Sequence, residues 1–320
     1  MGPAADTHAM PKSFGDRIRI AARAFASHEG PARRLPAAPG AWRDGSMHPD
    51  SMLLVTLDSC RYDSFEAVRP PTLSAIGPLA CAQAPSHFTF GSHCAIFAGF
   101  TPGDGARHEP FVNPKFGKIV RVLGGPAKSK GNDVIVLEGE TIVDGFNREG
   151  FLTAGTGAAG WFDDRRESVR HLVRHFQHYL YAGNCWSLAK QLDFLERTIA
   201  GATEPVFAFI NVGETHVPYW YEGAPWERDR NPCVPFSTSN DAAESRRRQH
   251  ACLSWVDAQI APLIGAFSRA TTIVCGDHGD AWGEDGFWEH GIMHPKVLEV
   301  PLLYRIAPHR LEGLASRATS

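Results

Sequence analysis

Acidic, hydroxyl and imidazole side chains gather in three short segments of this chain. LDSCRYD (57–63) carries Asp58, Arg61 and Asp63. HFTFGSHCAIFAGFTPG (87–103) carries Thr89, Ser92 and His93. CGDHGDAWGEDGFWEHG (275–291) carries Asp277, His278, Asp280 and His290. Two or more carboxylates with one imidazole form a donor set for a hard-to-borderline divalent cation. A hydroxyl beside such a cation loses its proton more easily and becomes a nucleophile, while the cation holds the oxygens of the tetrahedral anion under attack. Each fragment alone has a plainer explanation. A strand-end Asp caps the following helix, and a Thr/Ser/His loop can be a turn feeding a helix. The three together, in this order, point to a reaction centre.

Several elements must bring them together. MLLVTLD (52–58), PVFAFINVGE (205–214), TTIVCGDHGD (271–280) and VPLLYRI (300–306) read as buried strands, three of them ending in acids or His. DVIVLEG (133–139) is a further strand. Helical periodicity runs through 168–183, through 187–201 up to Gly201, and through 243–267, and CAIFAGF (94–100) is helical or buried. Strands alternating with helices predict a three-layer α/β/α domain around a mostly parallel sheet, with ligands beyond the carboxyl ends of the strands. Asp58, Glu214 to His216, and Asp277 with His278 fall at such ends. Residues 51–320 are expected to form one catalytic domain. Residues 1–50 read as an appendage: a short basic amphipathic helix at 14–27, packed on the domain in preference to a membrane-surface role, then a linker at 30–40. The Pro/Gly-rich stretches 104–132 and 220–240 are expected to shape the pocket.

Composition narrows the function classes. Against 32 Lys+Arg stand 35 Asp+Glu, a net charge of −3, without the concentrated basic surface that nucleic-acid binding needs. With 43% hydrophobic and 21% charged residues over 320 positions, the chain is globular and long enough to fold without disulfides. Its seven Cys are scattered without a CxxC, which predicts reduced thiols and a cytoplasmic location. No apolar run is long enough to span a membrane. No secretory signal is read at the N-terminus, and Asp6 spoils a myristoylation pattern after Gly2.

The order of these motifs resembles the alkaline phosphatase superfamily on its sulfatase-like branch. An acidic strand end followed by Arg-x-Asp is matched by Asp58 and Arg61–Tyr62–Asp63. The nucleophile loop C/S/T-x-P-S-R is matched by Thr89–Phe90–Gly91–Ser92–His93, with Gly99 ten residues after Thr89. Gly150–Phe151–Leu152–Thr153 echoes the family's Gly-Tyr-x-Thr, and Thr215–His216–Val217–Pro218–Tyr219 its Pro-His-x-Pro-Tyr. Asp277–His278–Gly279–Asp280, Gly283–Glu284–Asp285–Gly286 and Val300–Pro301 match the Asp-His-Gly-Glu, Gly-x-x-Gly and Val-Pro blocks. The likeness covers about residues 51–307. It implies an alkaline phosphatase/sulfatase-like fold and a metal-dependent hydrolase.

The departures carry chemistry. In sulfatases a Cys or Ser at the nucleophile position is oxidised to formylglycine, and Thr89 could yield only a ketone. In this superfamily a Thr nucleophile implies phosphorus chemistry. His93 replaces the loop Arg, Gly91 its Pro, Asp58–Ser59 the tandem Asp, and His290 a Lys. The Lys of the family's Gly-Lys-Trp-His is missing around Ala158. The resemblance then implies that Asp58, Asp277 and His278 ligate a divalent cation (Mn, Mg, Ca or Zn; one or two ions), with Thr89 as fourth ligand and nucleophile. His216 and His290 would contact the transferring phosphoryl group or the leaving oxygen, with His294 a further substrate contact. His290 is open to a second reading as ligand of another metal. Asp280 and Glu214 are secondary candidates, and Ser86 and Ser92 are rival nucleophiles. Arg61 is expected to pair with acids, Ser92 to cap the helix after Thr89, and Trp220 and Trp288 to flank the site. The expected activity is hydrolysis of phosphoric or phosphonic esters through phospho-Thr89 on a small-molecule substrate. A phosphotransferase, a sulfuric ester hydrolase and a site-degenerate binding protein are the alternatives. Oligomeric state is left open.

Overall fold

The computed structural model describes residues 42–99, 120–123, 134–137 and 139–310. The expected helix at 14–27, the linker at 30–40 and most of 104–132 lie outside them.

A seven-stranded sheet carries the molecule. Its strands are β1 (Met52–Leu57), β2 (Ala80–Gln83), β5 (Leu152–Gly157), β6 (His178–Tyr181), β7 (Val206–Val212), β8 (Thr271–Gly276) and β11 (Glu299–Arg305), in the order β2-β11-β8-β1-β7-β5-β6. From β8 to β6 the pairing is parallel, whereas β11 is antiparallel to both β8 and β2. Two further ribbons pair β3 (Val120–Leu123) with β4 (Val134–Leu137), and β9 (Ala281–Trp282) with β10 (Trp288–Glu289). The helices are α1 (Tyr62–Val68), α2 (Pro71–Ser74), α3 (Thr89–Ala98), α4 (Ile142–Arg148), α5 (Glu167–Val173), α6 (Leu188–Ile199), α7 (Ala242–Ala266) and α8 (Pro295–Leu298).

The three layers follow from the period of two in the strands. Leu53, Val55 and Leu57 point to one face, where they join Phe65 of α1, Leu195 of α6 and Leu253 of α7. Leu54, Phe207 and Phe209 point to the other, against Phe97 of α3, Val143 of α4 and Leu172 of α5. Each such side chain fully removed from water contributes about 1.5–3 kcal/mol. The core also takes in residues before β1: Met47 is buried, and Trp42 packs against the same cluster.

One expected helix is corrected. The periodicity over 168–183 holds for Val169, Leu172, Val173 and Phe176, all buried in the second cluster. The helix itself stops at Val173. His178–Tyr181 is instead an edge strand, pairing Tyr179 with Gly155 of β5. Two alternating tyrosines suit a half-buried strand better than a fourth helical turn.

Candidate active site

Strand register builds the acidic corner. Leu57 of β1 lies beside Gly276 of β8, so the next residues, Asp58 and Asp277, leave adjacent parallel strands together at the carboxyl edge. Both are fully buried, as is His278. Thr89, the first residue of α3, brings its hydroxyl in from another loop. Its Oγ1 lies 3.4 Å from Asp58 Oδ1 and 3.2 Å from His278 Nε2, while His278 Nε2 is 3.6 Å from Asp58 and 3.7 Å from Asp277. At the N-terminus of a helix this hydroxyl meets the positive end of the peptide dipoles, which favours its ionised form. Gly91 keeps the turn tight: a Cβ there would run into Ser86 Oγ. Gly99 closes α3 in the left-handed region at φ 67°.

Three details decide what this corner can hold. His278 Nδ1 donates to Gly279 O at 3.0 Å, so Nε2 carries the free lone pair and can ligate. Asp277 Oδ1 accepts the Ser59 and His278 amides at 3.2 and 2.9 Å. The remaining oxygens, Asp58 Oδ2 and Asp277 Oδ2, are buried without a hydrogen-bond partner. Burial pushes the Asp58 carboxyl above its ordinary range; burial and the Asp58 charge push Asp277 well above it. Burial, with the His290 charge, keeps His278 neutral, well below the usual imidazole range. Two orphaned carboxylate oxygens, a free imidazole lone pair and a hydroxyl around one point fit a divalent cation.

On the other side stand two more histidines. The His290 ring centroid lies 4.5 Å from that of His278 and 5.0 Å from that of His216. His290 Nδ1 is 2.8 Å from Asp280 Oδ1. Burial alone would depress His290; the Asp280 hydrogen bond and charge, with Glu289 and Asp58, outweigh it and hold the imidazolium to about 9. His216 Nδ1 donates to Val217 O at 2.8 Å, so its Nε2 is not engaged by that carbonyl. His278, Asp280 and His290 form a second group of donors within ligand reach of one another. His278 Nε2 cannot serve both groups.

The cluster therefore unites Asp58, Thr89, Asp277, His278, His216 and His290. His294 is engaged elsewhere: its Nδ1 accepts the Lys296 amide at the start of α8, and its Nε2 sits 3.2 Å from Asp285. Glu214 is turned to the N-terminus of α6, accepting the Leu188 amide at 2.8 Å, and burial raises it to about 7. Ser92, expected as a cap, is the fourth residue of α3, one turn too late for that role. Its hydroxyl instead donates to the Asp277 carbonyl at 2.6 Å and pins α3 to the ligand strand. Arg61 pairs with Asp63 and Glu284 as expected. His93 is buried and neutral, pushed down to about 4 by desolvation. It bridges Thr89 O and Thr56 Oγ1 at 2.7 and 3.0 Å, so no fixed positive charge stands where the family carries Arg. Trp220 meets Trp186 edge-on, and Trp288 pairs with Trp282 across the β9–β10 ribbon. Within 220–240, residues 230–232 and 239–240 line a separate cleft at the start of α7, with none of the cluster among its lining. Thr56 and Asn211, which brace His93 and the Ala158–Ala159 amides, were illegible as site residues because both lie inside apolar strand runs.

No protein-family model matches the sequence, and no curated protein matches it significantly. Solved structures do match. The C-terminal periplasmic domain of phosphoethanolamine transferase EptC from Campylobacter jejuni aligns with TM-score 0.56 at 13% identity, over 85% of this chain and 84% of that one. The C-terminal periplasmic domain of EcEptC from Escherichia coli, in complex with Zn, aligns with TM-score 0.56 at 13% identity, over 85% and 78%. Phosphonate monoester hydrolase of Agrobacterium radiobacter aligns with TM-score 0.56 at 15% identity, over 81% and 68%. At these identities the likeness establishes the fold.

Proposed function

We propose, from the alkaline phosphatase-type fold this chain adopts, that it is a divalent-metal-dependent hydrolase of phosphoric or phosphonic esters working through phospho-Thr89. The observation that carries this reading is the pair of buried, orphaned oxygens, Asp58 Oδ2 and Asp277 Oδ2, on two carboxylates that meet at His278, with the Thr89 hydroxyl beside Asp58. Asp58, Asp277, His278 and Thr89 would hold the ion. Bound there, it would lower the pKa of the hydroxyl and offset charge on the phosphoryl oxygens. The Thr89 hydroxyl lies 3.4 Å from Asp58 Oδ1, which accepts its proton as the oxygen attacks. Thr89 Oγ1 attacks phosphorus as the ester P–O bond breaks. His290, held as an imidazolium by Asp280, gives its proton to the leaving oxygen. His216, through its free Nε2, assists the water that later cleaves the Thr89–phosphorus bond and restores the hydroxyl.

One ion suits the donors better than two. Both Asp280 oxygens already have hydrogen-bond partners, whereas Asp58 and Asp277 each keep a bare one. The β-branched Thr89 argues against formylglycine chemistry and so against sulfate esters. An alcohol replacing water would make the same site a phosphotransferase, the activity for which the Campylobacter neighbour is named. Adding an acceptor alcohol and identifying the product separates the two. We also propose a cytoplasmic, reducing location, a reading supported by seven scattered cysteines without a CxxC. The test of the main reading is metal analysis of the purified protein combined with a panel of phosphate mono- and diesters, phosphonates and sulfate esters. Stoichiometric metal and turnover of a phosphorus ester are expected; bound metal without turnover of any ester would favour a binding protein.

A further inference from the structure

The β9–β10 ribbon does more than close a loop. Its register pairs Trp288 with Trp282 and Glu289 with Ala281, so Asp280, just before β9, faces His290, just after β10. This explains how two residues ten apart in sequence meet at 2.8 Å. The second Asp280 oxygen accepts the Tyr219 hydroxyl at 2.8 Å. That hydroxyl in turn accepts the Trp282 indole N–H at 2.7 Å. An indole nitrogen only donates, and a phenol has a single proton. The direction of the chain is therefore fixed: Trp282 to Tyr219, Tyr219 to Asp280, and Asp280 accepting from His290 Nδ1. Both oxygens of the carboxylate are committed, so its plane cannot turn, and His290 must present Nε2 away from it.

The surroundings hold this chain rigid. Tyr219 and Asp280 are fully buried and Trp282 nearly so. The Arg61 guanidinium lies 4.0 Å over the Trp282 ring and donates to the Asp280 carbonyl at 3.2 Å. Tyr219 and Glu289, each next to the working groups, have φ of 57° and 68°, conformations that non-glycine residues adopt only when their surroundings over-determine them. An apolar core has no use for a phenolic oxygen; phenylalanine would fill the same volume.

We propose that Tyr219, backed by Trp282, is a positioning residue for the reaction: it locks Asp280, and through Asp280 it aims His290 Nε2 at the phosphoryl or leaving oxygen. The proposal rests on the role given to His290 above.

The test uses the full chain loaded with Zn, comparing wild type with Tyr219→Phe, Trp282→Phe and His290→Gln. Inorganic phosphate binding is measured by calorimetry, zinc by elemental analysis, and turnover on aryl and alkyl esters of the phosphorus class that the enzyme accepts. Tyr219→Phe should weaken phosphate about tenfold with one zinc per chain retained, and Trp282→Phe by a smaller factor of the same sign. On esters the Tyr219→Phe loss should grow as the leaving group becomes poorer, because a misaimed acid matters most there. Unchanged phosphate affinity together with a uniform loss across leaving groups would reduce Tyr219 to a packing role and overturn the proposal. So would a second zinc bound in the wild type through Asp280 and His290. If His290→Gln itself leaves phosphate affinity and leaving-group dependence unchanged, the role of His290 fails, and the fault lies in the functional reading. Should Tyr219→Phe not fold, Trp282→Phe, which keeps a ring under Arg61, carries the same comparison.

Discussion

The two acidic corners of the site are finished to different degrees. Around Thr89, Asp58 and Asp277 each keep one buried oxygen without a partner. Around His290, both Asp280 oxygens are matched, by Tyr219 and by His290 itself. Both corners are buried. An unpaired carboxylate there costs several kcal/mol, and a paired one far less. The first corner is thus built to receive positive charge from outside the chain, while the second already contains its own in the His290 imidazolium. On the function proposed above, the charge that would activate the nucleophile is thereby separate from the charge that would steady the leaving group.

The sharpest way to break the comparison is at Thr89 and Asp277. Thr89→Ala should lower turnover by roughly three to six orders of magnitude while metal stays bound, since the acidic ligands are untouched. Thr89→Ser should keep part of the activity, because only the methyl that restrains χ1 is lost. Asp277→Ala should lose both metal and turnover, leaving Asp58 and His278 with too few donors; stoichiometric metal in that variant, by elemental analysis, would show the ion is held elsewhere. At the self-contained corner, Asp280→Asn should cost less, about 100-fold in kcat, with metal content unchanged.

A stability measurement sharpens the same contrast. Without metal, Asp58 and Asp277 titrate above the ordinary carboxyl range. Groups raised in this way stabilise the fold fully below their unfolded pKa near ~4, and that contribution is lost as pH rises through the folded values. The melting temperature of chelated protein should therefore fall behind that of Zn-loaded protein increasingly as pH rises above about 4. A gap that does not widen would mean the orphaned oxygens are not where the ion sits. Glu214 offers a smaller, metal-independent effect. Raised by burial to about 7, it too stabilises at low pH and loses that contribution as pH climbs through 7. Glu214→Gln keeps the acceptor for the Leu188 amide and removes the charge, so it should gain roughly 2 kcal/mol at pH 8 and little at pH 4, read from denaturant melts. Least of all should change with a mild thiol reductant, which has no disulfide to break; loss of structure there would contradict the reducing compartment.

Much of the acidic corner was legible because each of its carboxylates ends a contiguous apolar run. An apolar run ending in Asp58, and another ending in Asp277–His278, announce parallel strand ends, and register does the rest. The helix at Thr89 was signalled less directly: Ser92 suggested a cap, but the cap position falls four residues earlier, at an extended Phe88. The His290 corner was legible only as a list of residues. Asp280 and His290 meet because a two-residue ribbon folds back on itself, and Tyr219 joins them from a different loop. No periodicity encodes such a contact. His294 shows the converse error: an imidazole near the motif in sequence, spent on capping α8 and pairing with Asp285. The β6 edge strand was hidden by a helical stripe that ends at Phe176.

The central claim is that Thr89 becomes covalently phosphorylated during turnover. Its most direct test is to quench the Zn-loaded enzyme during reaction with a slow phosphorus ester and map the modified peptide by mass spectrometry. The account predicts an added mass of about 80 Da, that of a phosphoryl group in covalent catalysis, on the peptide that carries Thr89, and no label in Thr89→Ala. A label on another residue, or sulfate esters turning over faster than every phosphorus ester tested, would contradict it.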